Sequence, residues 1–234
     1  MRALVVMDLD GTLYRGSAPY RYYAELVSRS LPPDERERYL LALERFLAGE
    51  QPAAAADGWE AATVLAGGTT GGAAVFREEF LQARAFMLGA GCELEIPKGM
   101  TTFLERARTV GRLVVATNTP GPYVFPLLER LGLGTYFDEV CCMAEKPGRF
   151  RSWLGAWAKL YGIPAWAVLS VGDHFANDIA PALEGGCAAG YLDPFKVGPR
   201  GLATFEGPDF ETLRAPLMEW LESMAKTRPP ALTP

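Results

Sequence analysis

Five short, mainly apolar runs punctuate this chain, and four of them stop abruptly at polar residues. The first, Ala3-Leu4-Val5-Val6-Met7, ends in Asp8-Leu9-Asp10-Gly11-Thr12. Its continuous hydrophobicity predicts a strand buried on both faces, as in a parallel sheet. Similar runs recur at residues 112–116, 139–142, 167–171 and 187–191, and helical periodicity fills the spaces between them at 101–109, 123–131, 150–161 and 176–184. Strand alternating with helix predicts right-handed βαβ units and a Rossmann-like open parallel sheet flanked by helices, an α/β fold.

The stretch between the first run and residue 95 behaves differently. It has no strand-like run, and residues 20–31, 35–48 and 73–88 carry helical patterns with charged outer faces. Pro32-Pro33-Asp34-Glu35 suits a helix start, where a missing N–H and negative charge are both favourable. Residues 51–59 read as a connector. Gly67-Gly68-Thr69-Thr70-Gly71-Gly72 reads as a turn, because it lacks the Lys-Ser/Thr ending of a phosphate loop and follows no strand. The expected organisation is therefore a discontinuous core domain of residues 1–14 and 96–234, interrupted by an all-α domain at 15–95. The sheet is expected to resume near Ile96-Pro97. A final helix over 210–226 is expected to break at Pro216, and 228–234 to fray.

Composition narrows the function. The chain has 234 residues, 23 Lys and Arg against 28 Asp and Glu, one His and four Cys. A net charge of −5 without basic runs argues against nucleic acid and against an anionic membrane surface as partners. No apolar stretch approaches the roughly 18 residues of a membrane span, so a cytoplasmic protein is expected. Cys92, Cys141, Cys142 and Cys187 show no C-x-x-C spacing and read as buried reduced thiols.

The polar residues that follow the strands carry the candidate chemistry: Asp8 and Asp10 after the first, Thr117 and Asn118 after the second, Lys146 after the third, Asp173 and Asp178 after the fourth. Ligands of open α/β sheets bind outside the carboxyl ends of the strands. Several carboxylates converging there repel one another unless a cation neutralises them, and Mg²⁺ suits an all-oxygen site completed by water and a phosphate. A phosphoryl group held by Lys146 and backbone N–H groups would then face a carboxylate oxygen able to attack phosphorus.

Asp8-Leu9-Asp10-Gly11-Thr12-Leu13, Thr117, Lys146 and Gly172-Asp173-His174-Phe175-Ala176-Asn177-Asp178 resemble the four ordered motifs of the haloacid dehalogenase-like hydrolase superfamily. The helical module resembles that family's cap between the first and second motifs. The resemblance implies that Asp8 is the nucleophile of an aspartyl-phosphate mechanism. Asp10 would be the acid/base, its backbone carbonyl also reaching Mg²⁺. Gly11 would allow the sharp turn, Thr117 and the Asn118 N–H would bind phosphoryl oxygens, and Lys146 would neutralise charge. Asp173 would ligate Mg²⁺; Asp178 would do so through water or hold Lys146.

An acid at the Asp10 position points to phosphoryl transfer rather than dehalogenation. The expected activity is a Mg²⁺-dependent phosphatase for a small phosphorylated metabolite, with a phosphomutase as the alternative and a dehalogenase or a non-catalytic binding protein behind it. His174 reads as non-catalytic, and Trp153 with Trp157 as a helix core face. Arg15, Arg21, Arg77 and Arg84 are candidate contacts to a second phosphate, with solvated helix faces as the ordinary explanation.

Overall fold

A computed structural model describes residues 3–50, 53–67 and 76–226. Its six strands are β1 (Ala3–Met7), β2 (Gly111–Ala116), β3 (Glu139–Cys141), β4 (Val168–Gly172), β5 (Ala188–Leu192) and β6 (Phe205–Gly207). They form one parallel sheet in the order β3-β2-β1-β4-β5-β6. The five residues of β1 are all buried between β2 and β4, which is why its sequence never alternates. β6 escapes the hydrophobic pattern because it is a three-residue edge strand with an exposed glutamate at its centre.

Nine helices are described: α1 (Ala18–Val27), α2 (Pro33–Leu47), α3 (Gly58–Leu65), α4 (Arg77–Phe86), α5 (Met100–Val110), α6 (Gly121–Arg130), α7 (Phe150–Tyr161), α8 (Ala180–Glu184) and α9 (Phe210–Lys226). α5 and α9 pack on one another and against β1, while α7 packs on α8. Helix α9 runs unbroken through Pro216, against the expected interruption. Leu213, Leu217 and Leu221 bury one stripe four residues apart, and this burial outweighs the single ladder bond that proline removes.

Helices α1 to α4 form the insertion after β1. The chain enters and leaves it through a two-residue antiparallel bridge in which Arg15 and Glu95 exchange backbone hydrogen bonds of 2.8 and 2.9 Å. The sheet therefore does not resume at Ile96-Pro97. Those residues lead into α5, and the next strand is β2. Trp59 is the hub of the insertion, with ring centroids 5.2 Å from Tyr20, 5.5 Å from Tyr23 and 5.2 Å from Phe80. It sits in α3, where a connector was expected. Asp57 caps that helix by accepting a 2.8 Å bond from the Glu60 N–H, and Glu60 reaches back to the Ala56 N–H at 3.0 Å. Asp57-x-x-Glu60 has the capping-box pattern, its return bond shifted one residue to the Ala56 N–H.

Trp153 and Trp157 stack at 5.7 Å on α7 and do not line the cavity at the strand ends, as expected of a core face. The four cysteines are free, but only Cys92 and Cys187 are fully buried; Cys141 and Cys142 are half-exposed at the sheet edge. The glycine turn beyond Gly67, the start of the 73–88 helix, Gln51-Pro52 of the connector and the tail at 227–234 lie outside the described residues. Among the described residues, no helix is long and apolar enough to cross a membrane.

Candidate active site

The strand order creates a switch point: the chain winds outward from β1 through β2 to β3, then returns to the other side of β1 as β4. Beyond the carboxyl ends of β1 and β4 the adjoining connections diverge, leaving a crevice. Asp8 opens on it one residue past β1, held by its N–H, which extends the ladder to the Val171 carbonyl at 2.9 Å. Asp173 opens on it one residue past β4. Gly11, at φ 71°, turns the chain after Asp8, and a Cβ there would land on the Asp173 carboxylate. Gly172 similarly leaves room for Asp178.

The second and third strands deliver the cation. Thr117 continues the ladder past β2 by donating its N–H to the Cys141 carbonyl at 3.0 Å, and its buried hydroxyl accepts the Thr119 N–H at 3.1 Å. The Asn118 side chain accepts from the Lys146 N–H at 2.8 Å and donates to the Lys146 carbonyl at 3.0 Å. This pair clamps the lysine loop, so that the Lys146 Nζ donates to Asp8 Oδ1 at 2.6 Å and to Asp178 Oδ1 at 2.5 Å. Asp178 thus holds Lys146 directly.

Asp10 lies on the same cavity but faces the insertion. Arg84 of α4 makes a two-pronged ion pair with it, 2.7 Å at Nη2, and the Tyr14 and Thr119 hydroxyls also donate to it. Burial pushes the Asp10 carboxyl up, but Arg84 and these hydrogen bonds more than reverse that and hold it below the ordinary aspartate value. Arg84 is therefore no solvated helix-face residue: its side chain is 3% exposed. Arg15 and Arg21, by contrast, sit in surface pairs with Glu95 and Glu44, and Arg77 is exposed at the start of α4.

Six carboxylates line this cavity of about 600 Å³, Asp8, Asp10, Asp57, Glu60, Asp173 and Asp178, against Lys146, Arg84 and His174. Burial raises Asp8 to about 7, with Lys146 opposing and Asp178 and Asp10 adding to the rise. Burial and then the Asp8 charge raise Asp173 well above the usual range. Asp8, Asp173 and Asp178 each offer an oxygen within 4.8 Å of the others. Three buried oxygen donors, with the charges of Asp8 and Asp173 disfavoured by burial, fit a hard divalent cation such as Mg²⁺. The Asp10 side chain stands outside this trio.

His174 joins the two halves of the molecule, its Nε2 3.2 Å from Glu60 Oε1 of α3 and its Nδ1 accepting the Asn177 N–H. Burial lowers its affinity for a proton, yet Glu60 and Asp57 raise it above the ordinary value. Trp59, Glu60, Phe80 and Thr119 line the cavity without having been singled out in the sequence.

The chain belongs to the haloacid dehalogenase-like hydrolases: the family model matches residues 5–180, most of the chain. A phosphoglycolate phosphatase of Pectobacterium atrosepticum is 37% identical over 105 residues, which cover 39% of this chain and 43% of that relative. Among solved structures, a predicted phosphoglycolate phosphatase from Haemophilus somnus superposes with a TM-score of 0.65 at 21% identity, covering 92% of this chain and 98% of the other. The magnesium-bound hydrolase YfnB of Bacillus subtilis gives 0.62 at 16% identity over the same shares. At these identities the structural likenesses establish the fold.

Proposed function

We propose that this protein is a Mg²⁺-dependent phosphatase that hydrolyses a small phosphomonoester through an aspartyl-phosphate on Asp8. The carrying observation is the pairing of Asp8 with Asp10: two carboxylates two residues apart face one cavity, one held by Lys146 and the other turned toward the helical insertion. A nucleophile alone would suffice for a halide leaving group. A second carboxyl is needed where an alkoxide must be protonated.

In the first half, the Asp8 oxygen that Lys146 does not hold forms a bond to phosphorus as the bond to the leaving oxygen breaks. The leaving oxygen takes its proton from Asp10, which must first bind one from solvent against the Arg84 charge that disfavours it, and the alcohol departs. In the second half Asp10 takes a proton from water, the water oxygen attacks phosphorus, and the Asp8 bond to phosphorus breaks, releasing inorganic phosphate. Lys146 neutralises the nucleophile before attack and the phosphoryl oxygens afterward, while the Thr117 hydroxyl and the Asn118 N–H bind those oxygens. Asp8, Asp173, Asp178 and the Asp10 carbonyl would hold Mg²⁺, which supplies charge neutralisation at the phosphoryl group. The helices at 15–95 act as a cap that excludes water from the reaction.

Phosphoglycolate, from the name of the Pectobacterium relative, is the first ester to assay. Four free cysteines suit a reducing cytoplasm. The test is phosphate release from a panel of phosphorylated metabolites with Mg²⁺ and with chelator. Release that needs Mg²⁺ supports the proposal; undiminished release in chelator contradicts it.

A further inference from the structure

We propose that Glu60 of α3 is a positioning residue for the Mg²⁺ site: through the His174 ring it fixes the turn that carries Asp178, so that closing the helical cap and binding the metal strengthen one another. This assignment rests on the Mg²⁺-dependent reading of the cavity and adds a link between its two walls. Glu60 is itself fixed, because its Oε2 accepts the Ala56 N–H at 3.0 Å at the start of α3. Its Oε1 is left to face the His174 Nε2 at 3.2 Å.

The ring passes that contact on. His174 Nδ1 accepts the Asn177 N–H at 3.3 Å, so the ring proton stands on Nε2 and is donated to Glu60. The His174 carbonyl accepts the Asn177 and Asp178 N–H groups at 3.1 and 2.9 Å, and the His174 N–H donates to Asp178 Oδ2 at 3.2 Å. Phe175–Ile179 winds as one wide π turn, a geometry found mostly at functional sites. This turn leaves the other Asp178 oxygen on Lys146, within the trio of candidate metal donors.

Glu60 and His174 lie 114 residues apart, on opposite sides of the Arg15–Glu95 bridge through which the chain enters and leaves the insertion. Their contact therefore requires the cap to lie against the core. The cap's ion pair of Arg84 with Asp10 reaches a side chain outside the trio, whereas the Glu60–His174 contact runs to it. A contact made only when the cap is closed and the metal-donor turn is in place favours both together, and each must then favour the other by the same factor.

The experiment titrates Mg²⁺ into the full, substrate-free chain by calorimetry at one pH. Glu60→Ala removes the acceptor, and His174→Asn keeps an acceptor for the Asn177 N–H but is too short to reach Glu60. Each is expected to raise the Mg²⁺ Kd about fivefold, and the double variant no more than either alone, because both break one link. Amide hydrogen exchange gives a second readout: Mg²⁺ is expected to slow exchange in α3 of the wild type and not in His174→Asn. A residue that only stabilised its own helix would lower the melting temperature and leave both readouts unchanged. If Glu60→Ala does not fold, His174→Asn carries the test with both. A wild-type Kd in the variants, or losses that add in the double variant, overturns the coupling while leaving the Mg²⁺ reading intact. A wild type that binds no Mg²⁺ overturns both.

Discussion

The cavity has two walls built on different principles. On the sheet wall, Asp8, Thr117 and Asp173 stand one residue beyond a strand, and the first two are placed by backbone bonds that extend the β ladders. On the helical wall, Trp59, Phe80 and Arg84 are placed by side chains packing on side chains. The buried ion pair of Arg84 with Asp10 and the half-buried contact of His174 with Glu60 tie the walls together. A backbone-fixed wall suits groups whose geometry must not drift, whereas a packed helical wall can change its residues without disturbing the ladder. The proposed function accordingly puts the chemistry on the sheet wall and recognition on the helical one.

Lys146→Met probes the sheet wall hardest. It leaves Asp8 and Asp178 buried beside each other without their cation, and the metal-free protein is expected to lose about 3–5 kcal/mol, read by denaturant unfolding. Added Mg²⁺ should restore part of the loss. If the loss were no larger than that of a surface pair, the sheet wall would not be held together by charge.

A pH series sharpens the same contrast with a smaller effect. Asp8 in the folded protein binds its proton up to about 7, against 3.8 for an ordinary aspartate, and Asp173 is shifted the same way. Between those values the folded state binds more protons than the unfolded one, so stability falls as pH rises through this range. Thermal melts of metal-free protein are expected to drop from pH 4 toward pH 7, and saturating Mg²⁺ to flatten the slope. A rise in melting temperature over this range without metal would contradict the assigned carboxylate cluster.

The smallest effect is expected outside both walls. Arg21 and Glu44 form a pair at 2.7 Å on the exposed face of the insertion. Arg21→Ala is expected to change stability by about 0.5 kcal/mol or less and to leave turnover as it was, measured by unfolding and phosphate release.

The difference between the walls also decides what could be read from the chain. Asp8, Thr117, Lys146 and Asp173 were legible because an apolar run that stops at a polar residue marks a strand end, and strand ends in this fold converge. Arg84 stood out only as one of four candidate arginines, since Arg77-Glu78-Glu79 and Arg84 give α4 an ordinary surface charge pattern. Its burial depends on Asp10, 74 residues away in the chain, and no local period records that pairing. Trp59 and Glu60 belong to a helix whose capping pattern overlaps the end of the Ala-rich stretch, residues 51–59, expected as a connector. β6 and the unbroken α9 were missed for the same reason in different form: burial supplied by distant elements overrode weak or contrary local signals.

Asp8 is the residue proposed to carry the phosphoryl group. Its most direct test is acid-quenched mass spectrometry of the Asp10→Asn protein with Mg²⁺ and an aryl phosphate, whose leaving group departs without a proton. A peptide containing Asp8 is expected to be heavier by one phosphoryl group, with no such adduct when Asp8→Asn is added. Continued phosphate release with the adduct on another residue, or with none, would contradict it.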